Sequence, residues 1–157
     1  MFEIRTTNNE DVTYIKRLNY LTEVFGNEQA DLPADFREGL PFYIGNWQPT
    51  DGVLASDDNG IPAGAIWYLW GDADNHGTGF VAEEYPELAI AIDNRFRGQG
   101  LASALFTALF AQLQERGIPG VSLCVHTNNG GAQKIYEAKG FEFVRTDGEW
   151  NVFLLKF

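Results

Sequence analysis

A mixed α/β fold is predicted for this chain of 157 residues. Apolar runs of strand length, Glu87 to Asp93 and Val121 to His126, alternate with stretches of helical period, of which Leu101 to Arg116 is the longest. Between them the run Ile90-Ala91-Ile92 passes through a glycine-punctuated turn straight into a helix, a strand-to-helix junction typical of α/β chains. Alternating segments separated by turn residues supply further strands toward both ends.

Taken in order, Phe2 to Thr6 reads as a strand, and Asn8 or Asn9 caps a helix from about Asp11 to Phe25, which Gly26 stops. A short second helix is expected around Asp35, in a segment broken by Pro33, Pro41 and Gly45. Gly52 to Ser56 and Ile61 to Trp70 form a hairpin around Asp57-Asp58-Asn59-Gly60. A polar loop leads to the apolar strand Glu87 to Asp93. Leu101, Leu105, Leu109 and Leu113 make the stripe of the third helix, ended by Gly117. The strand Val121 to His126, a helix containing Ala132 and Tyr136, and strands Phe141 to Arg145 and Trp150 to Phe157 complete the chain.

The junction Asp93-Asn94-Arg95-Phe96-Arg97-Gly98-Gln99-Gly100-Leu101-Ala102 has the chemistry of a pyrophosphate cradle. Gly98 and Gly100 let backbone N–H groups close on an anion, the helix opening at Leu101 adds its positive dipole end, and Arg95 and Arg97 flank the turn as cations. Two other phosphate loops fail on spacing. No Lys-Ser/Thr pair follows the glycines as a Walker loop requires, and Ser103 stands where a dinucleotide fingerprint needs its third glycine.

Downstream, Asn129-Gly130-Gly131-Ala132-Gln133-Lys134-Ile135-Tyr136-Glu137-Ala138-Lys139-Gly140-Phe141 reads as Asn-x-x-Ala-x-x-x-Tyr-x-x-x-Gly-Phe. It places Ala132 and Tyr136 on one helix face and Gly140 as the C-terminal cap. The two motifs together resemble the GNAT acetyltransferase superfamily, over roughly Pro86 to Phe157 and reaching back to Gly64-Ala65-Ile66-Trp67. Asn94, where proline is common in that family, and the weak helix formers Gly130-Gly131 depart from its pattern.

The resemblance implies a mixed, mostly antiparallel seven-stranded sheet flanked by helices, with splayed central strands, here Leu88 to Ile92 and Val121 to Val125. It implies acetyl-CoA as co-substrate, with its pantetheine arm in the gap. The cofactor-binding set would be Ile90, Ala91, Ile92, Arg95, Arg97, Gly98, Gln99, Gly100, Leu101, Ala102 and Asn129, one backbone N–H polarising the thioester carbonyl. Tyr136 takes the position of the family's general acid, and Glu87 that of a general base, with Glu83 or Glu84 as alternatives acting through water. A base is needed because an amine with the pKa of lysine is neutral in only about one molecule per 10³ at pH 7, a penalty of roughly 4.6 kcal/mol.

The expected reaction is direct acetyl transfer to the primary amine of a small cationic molecule. A protein N-terminus or lysine as acceptor, and a non-catalytic acetyl-CoA sensor, are the alternatives. Residues 1 to 94 hold 17 Asp and Glu against 4 Lys and Arg, whereas residues 95 to 157 hold 7 Lys and Arg against 5 acids. A negative field over the acceptor half would attract a cation. Trp47, Trp67, Tyr68 and Trp70 are candidates to enclose it, although strand aromatics more often pack.

The net charge of −11 speaks against nucleic acid. No metal is expected, because no His/Cys/Asp cluster has ligand spacing. His126 and His76 read as structural and surface residues, and Cys124 as a small core side chain. One domain spanning 1–157, a cytoplasmic location given a lone cysteine and no signal peptide or membrane span, and an oligomeric state open to a homodimer complete the expectations.

Overall fold

The computed structural model describes residues 1–157. Seven strands form one sheet in the order β1-β2-β3-β4-β5-β7-β6: β1 Glu3–Thr6, β2 Gly52–Ser56, β3 Pro62–Leu69, β4 Glu87–Ile92, β5 Gly120–His126, β6 Glu142–Asp147 and β7 Trp150–Lys156. All neighbours are antiparallel except β4 and β5, which are parallel and pair at a single position, Glu87 opposite Ser122. Beyond that pair the two strands separate. The mixed, mostly antiparallel sheet with splayed central strands is as the resemblance implied.

Four helices cover the sheet: α1 Val12–Glu23, α2 Phe36–Tyr43, α3 Leu101–Glu115 and α4 Gly130–Ala138. Ile15, Leu18 and Leu21 of α1 and Phe42 of α2 join Trp47, Leu54, Ala65, Trp67 and Leu69 in one core. On the opposite face Leu101, Leu105, Phe106, Leu109 and Leu113 of α3 pack with Ile66, Tyr68, Leu123, Val125 and Phe153. The leucine stripe is buried as its spacing predicts. Trp47, Trp67 and Tyr68 are therefore core side chains; Trp67 and Tyr68 are 0% and 1% exposed and enclose no ligand.

Element bounds differ for local reasons. Asn8 accepts from the Glu10 N–H at 2.9 Å, and Asp11 accepts from the Asn8 N–H at 2.8 Å while pairing with both Arg5 nitrogens. This reciprocal cap holds a 3-10 turn over Asn9–Asp11, so α1 proper begins at Val12. The second helix is longer than expected and runs through Pro41, because Phe42 and its neighbours bury against the first core. That burial outweighs the hydrogen bond proline removes. Gly117, at φ 72°, ends α3 as its place in the sequence predicts.

Candidate active site

Strand alternation decides what faces the gap between β4 and β5. Asp93 N–H donates to Ala63 on the β3 side, and the Pro86 carbonyl accepts from Ser122 on the β5 side. With a period of two, the backbone groups of Ile90 and Ile92 point toward β5, where the separated strands leave them without a ladder partner. Ala91, between them, turns its backbone to β3.

The cradle lies at the end of β4. Asp93 accepts from Arg95 N–H to cap a 3-10 turn over Asn94–Phe96, and the chain then passes through Gly98 and Gly100 at φ 75° and 76°. Nothing lies within 4 Å of a Cβ built on either glycine. What selects glycine is the left-handed backbone, and the space it leaves is open. Gly100 is the N-cap of α3 and has no side chain to cap it, so the first-turn N–H groups of Leu101 and Ala102 remain available to an anion. Gln99 is exposed on the same turn.

Arg95 lies over the Phe96 ring, 5.5 Å from its centre. Arg97 reaches across toward Gly26, whose carbonyl accepts from Asn94 Nδ2 at 2.9 Å. Lys139 adds a cation that no motif announces: it donates to Ser103 at 3.0 Å and sits over Phe106, between α3 and α4. Asn129 caps α4 by accepting from Ala132 N–H at 3.3 Å, which offsets the poor helix formers at Gly130 and Gly131.

Tyr136 projects from α4 between Phe106 and Phe141, 5.8 and 6.2 Å away by ring centres. Burial, and secondarily the nearby Cys124 thiol, pushes its phenol up to about 12. It therefore keeps its proton at neutral pH, the state a general acid needs.

Glu87 opens β4 and is 3% exposed. Its Oε2 accepts from the Tyr43 hydroxyl at 2.9 Å and from Cys124 Sγ at 3.7 Å, and its Oε1 accepts from Gly79 N–H at 3.1 Å. Burial raises its carboxyl to about 7; the hydrogen bonds from Tyr43, Gly79 and Cys124 and the charge of Arg145 hold it below what burial alone would give. Glu83 and Glu84 are exposed on the loop before β4.

The polar loop after β3 conceals part of this site. Its Gly77 and Gly79 are buried against Glu87. A Cβ on Gly77 would stand 2.6 Å from Glu87 Oε1, and one on Gly79 would stand 2.8 Å from the carboxyl carbon. Tyr43, Gly79, Cys124 and Arg145 carry no site motif in the sequence. Only the Gly77-Thr78-Gly79 alternation in an otherwise polar loop is a local signal.

His126, at the end of β5, accepts from Asn128 N–H at 3.1 Å and contacts Glu149 at 3.4 Å, with Phe25 and Trp150 edge-on to its ring. His76 is exposed and stacks on Phe80. No group of three or more His, Cys, Asp or Glu side chains is placed to hold a metal ion.

Comparison with known proteins agrees with this architecture. The chain is 28% identical over 140 residues to a mycothiol acetyltransferase of Propionibacterium freudenreichii, covering 88% of this chain and 42% of that protein. It is 48% identical over 52 residues to a [ribosomal protein bS18]-alanine N-acetyltransferase of Haemophilus ducreyi, covering 33% of this chain and 36% of the relative. The chain thus spans less than half the length of these curated relatives. Among solved structures, SsHAT superposes with a TM-score of 0.77 at 16% identity over 99% of this chain and 98% of that one. A PaiA N-acetyltransferase of Thermoplasma acidophilum, determined with coenzyme A, gives 0.70 at 18% identity over 100% and 99%. The model of the acetyltransferase (GNAT) family matches residues 21–141, and with the splayed strands and glycine cradle in place the chain belongs to that family.

Proposed function

We propose that the protein is an acetyl-CoA-dependent N-acetyltransferase that acts directly on the primary amine of a small, cationic molecule. The observation that carries this reading is the gap between β4 and β5, with the glycine turn that opens α3 following the end of β4 and the buried Glu87 carboxyl at its start. Membership of the family supports it.

The residues fit the co-substrate. The N–H groups at Gly98 to Ala102 would take the pyrophosphate, and Ile90 and Ile92 would pair with the pantetheine arm as a strand would. Acetyl-CoA supplies an activated thioester, so the protein's work is orientation and two proton transfers. The amine nitrogen attacks the carbonyl carbon as an Ile90 or Ile92 N–H polarises its oxygen, and the carbon–sulfur bond breaks. The ammonium proton passes to Glu87 by a relay, because the carboxylate, 3% exposed, does not meet the amine directly. The Tyr136 phenol protonates the departing thiolate.

A panel of amines assayed by free-thiol release from acetyl-CoA tests the reading. Acceleration by aliphatic cationic amines supports it, and thiol release indifferent to every amine would leave a binding module. The match to a protein N-acetyltransferase over 52 residues favours one further acceptor, a peptide N-terminus. Short peptides in the same panel separate the two.

A further inference from the structure

We propose that Tyr43 is a positioning residue for Glu87, fixing one carboxylate oxygen while the segment Gly77–Phe80 straps the other from above. The proposal rests on the reading of Glu87 as the general base.

The geometry closes a ring of hydrogen bonds. Tyr43 Oη donates to Glu87 Oε2 at 2.9 Å and itself accepts from Thr78 N–H at 3.1 Å. The next residue of the strap, Gly79, donates its N–H to Glu87 Oε1 at 3.1 Å. Both carboxylate oxygens are thus held by donors from separate parts of the chain, and the phenol links the two. The strap has its own anchor, since Arg145 Nη2 donates to the carbonyls of Thr78 at 3.3 Å and Phe80 at 2.8 Å. A register shift between Phe143 and Arg145 interrupts β6 just before that arginine. Removing the phenol hydroxyl therefore leaves the strap with three of its bonds.

Groups from several parts of the chain act on the carboxylate. Tyr43 comes from α2, Cys124 from β5 and Arg145 from β6, and the charge of Glu23 at the end of α1 acts on Cys124. Tyr43, the nearest of these, donates to the charged form and so favours it. Burial under the strap disfavours the same form. The two influences oppose each other, which makes them separable by substitution.

Carboxyl-carbon NMR of glutamate-labelled protein, with the Glu87 signal assigned by its loss in Glu87→Gln, reads the titration with no acceptor present. In Tyr43→Phe the midpoint of Glu87 should rise by roughly one unit, because a donor to a charged acceptor is lost while the strap stays. In Gly79→Ala the added methyl lifts the strap, water enters, and the midpoint should fall toward that of an ordinary glutamate. The acid limb of kcat/KM, measured with the best amine of the panel, should follow both shifts. An unmoved or lowered midpoint in Tyr43→Phe overturns the proposal. If that variant does not fold, fluorotyrosine at position 43 decides, since a more acidic phenol should lower the midpoint and no shift counts against the role. Wild-type turnover in Glu87→Gln would instead remove the base reading, an outcome distinct from any NMR result on Tyr43.

Discussion

In the role proposed for it, Glu87 meets two opposed requirements: a carboxylate buried enough to titrate near neutrality would be available as a base, and the same burial makes its charge expensive to the fold. Its midpoint in the folded protein, about 7, lies above the 4.5 of an unperturbed glutamate, so the native state binds more protons between those values. The native state is favoured by this group at low pH, and that advantage is lost as pH rises from about 4.5 through about 7. Urea denaturation across that window should show wild type losing up to about 3 kcal/mol relative to Glu87→Gln, with a constant difference above it. Parallel curves for the two proteins would mean that the carboxyl titrates normally. Tyr136 stands in the opposite condition, protonated throughout the working range. Tyr136→Phe should lower kcat by about 10² while acetyl-CoA affinity, read by calorimetry, stays near wild type. Full turnover in that variant would exclude the phenol as the acid. The sequence marks both residues by the motifs around them but gives no hint of their protonation states, because burial is a property of the packed protein.

At the scale of elements, the junction between β4 and α3 is legible because its cause is local. Glycine at positions 98 and 100 meets a left-handed backbone, and the leucine stripe that follows needs only a period near 3.6. Gly100→Ala is the informative change, since nothing within 4 Å obstructs a methyl group while φ of 76° penalises it. The expected outcome is a stability loss of about 1 kcal/mol together with acetyl-CoA binding weaker by about tenfold, the first read by thermal melting and the second by calorimetry. Unchanged affinity would show that the cradle does not hold the anion. The full length of the second helix is hidden for the converse reason. Pro41 argues against a helix locally, and only the burial of Phe42 with Trp47 and Leu69 reverses that preference. The loop after β3 reads as polar, and its strap function is invisible until Arg145 and Tyr43 are brought to it.

Over the whole molecule, charge is the property that the sequence reports most directly, yet its placement alters what it predicts. Of the acids expected to attract a cation, Glu87 is buried and is the base proposed for proton transfer, whereas Glu83 and Glu84 are exposed. Glu23 is only partly exposed, with its carboxyl raised by burial and then by Asp35, and its charge is felt at Cys124 beside the gap. Steering by such groups is screened over about 8 Å at physiological salt. The KM for a cationic amine should rise with ionic strength, and Glu23→Gln should blunt that rise more than Glu83→Gln and Glu84→Gln together. A KM indifferent to salt would reduce the acids to surface solvation. The sequence by itself determined the strands, the cradle, the α4 motif and the two-sided charge, since each depends on neighbours a few positions away. The tertiary structure alone decided the environment of Glu87, because its partners Tyr43 and Cys124 lie 44 and 37 positions distant and the strap's anchor Arg145 lies 65 positions from Phe80. Hydrogen bonding and desolvation act through space, and only the folded sheet brings those groups within their reach.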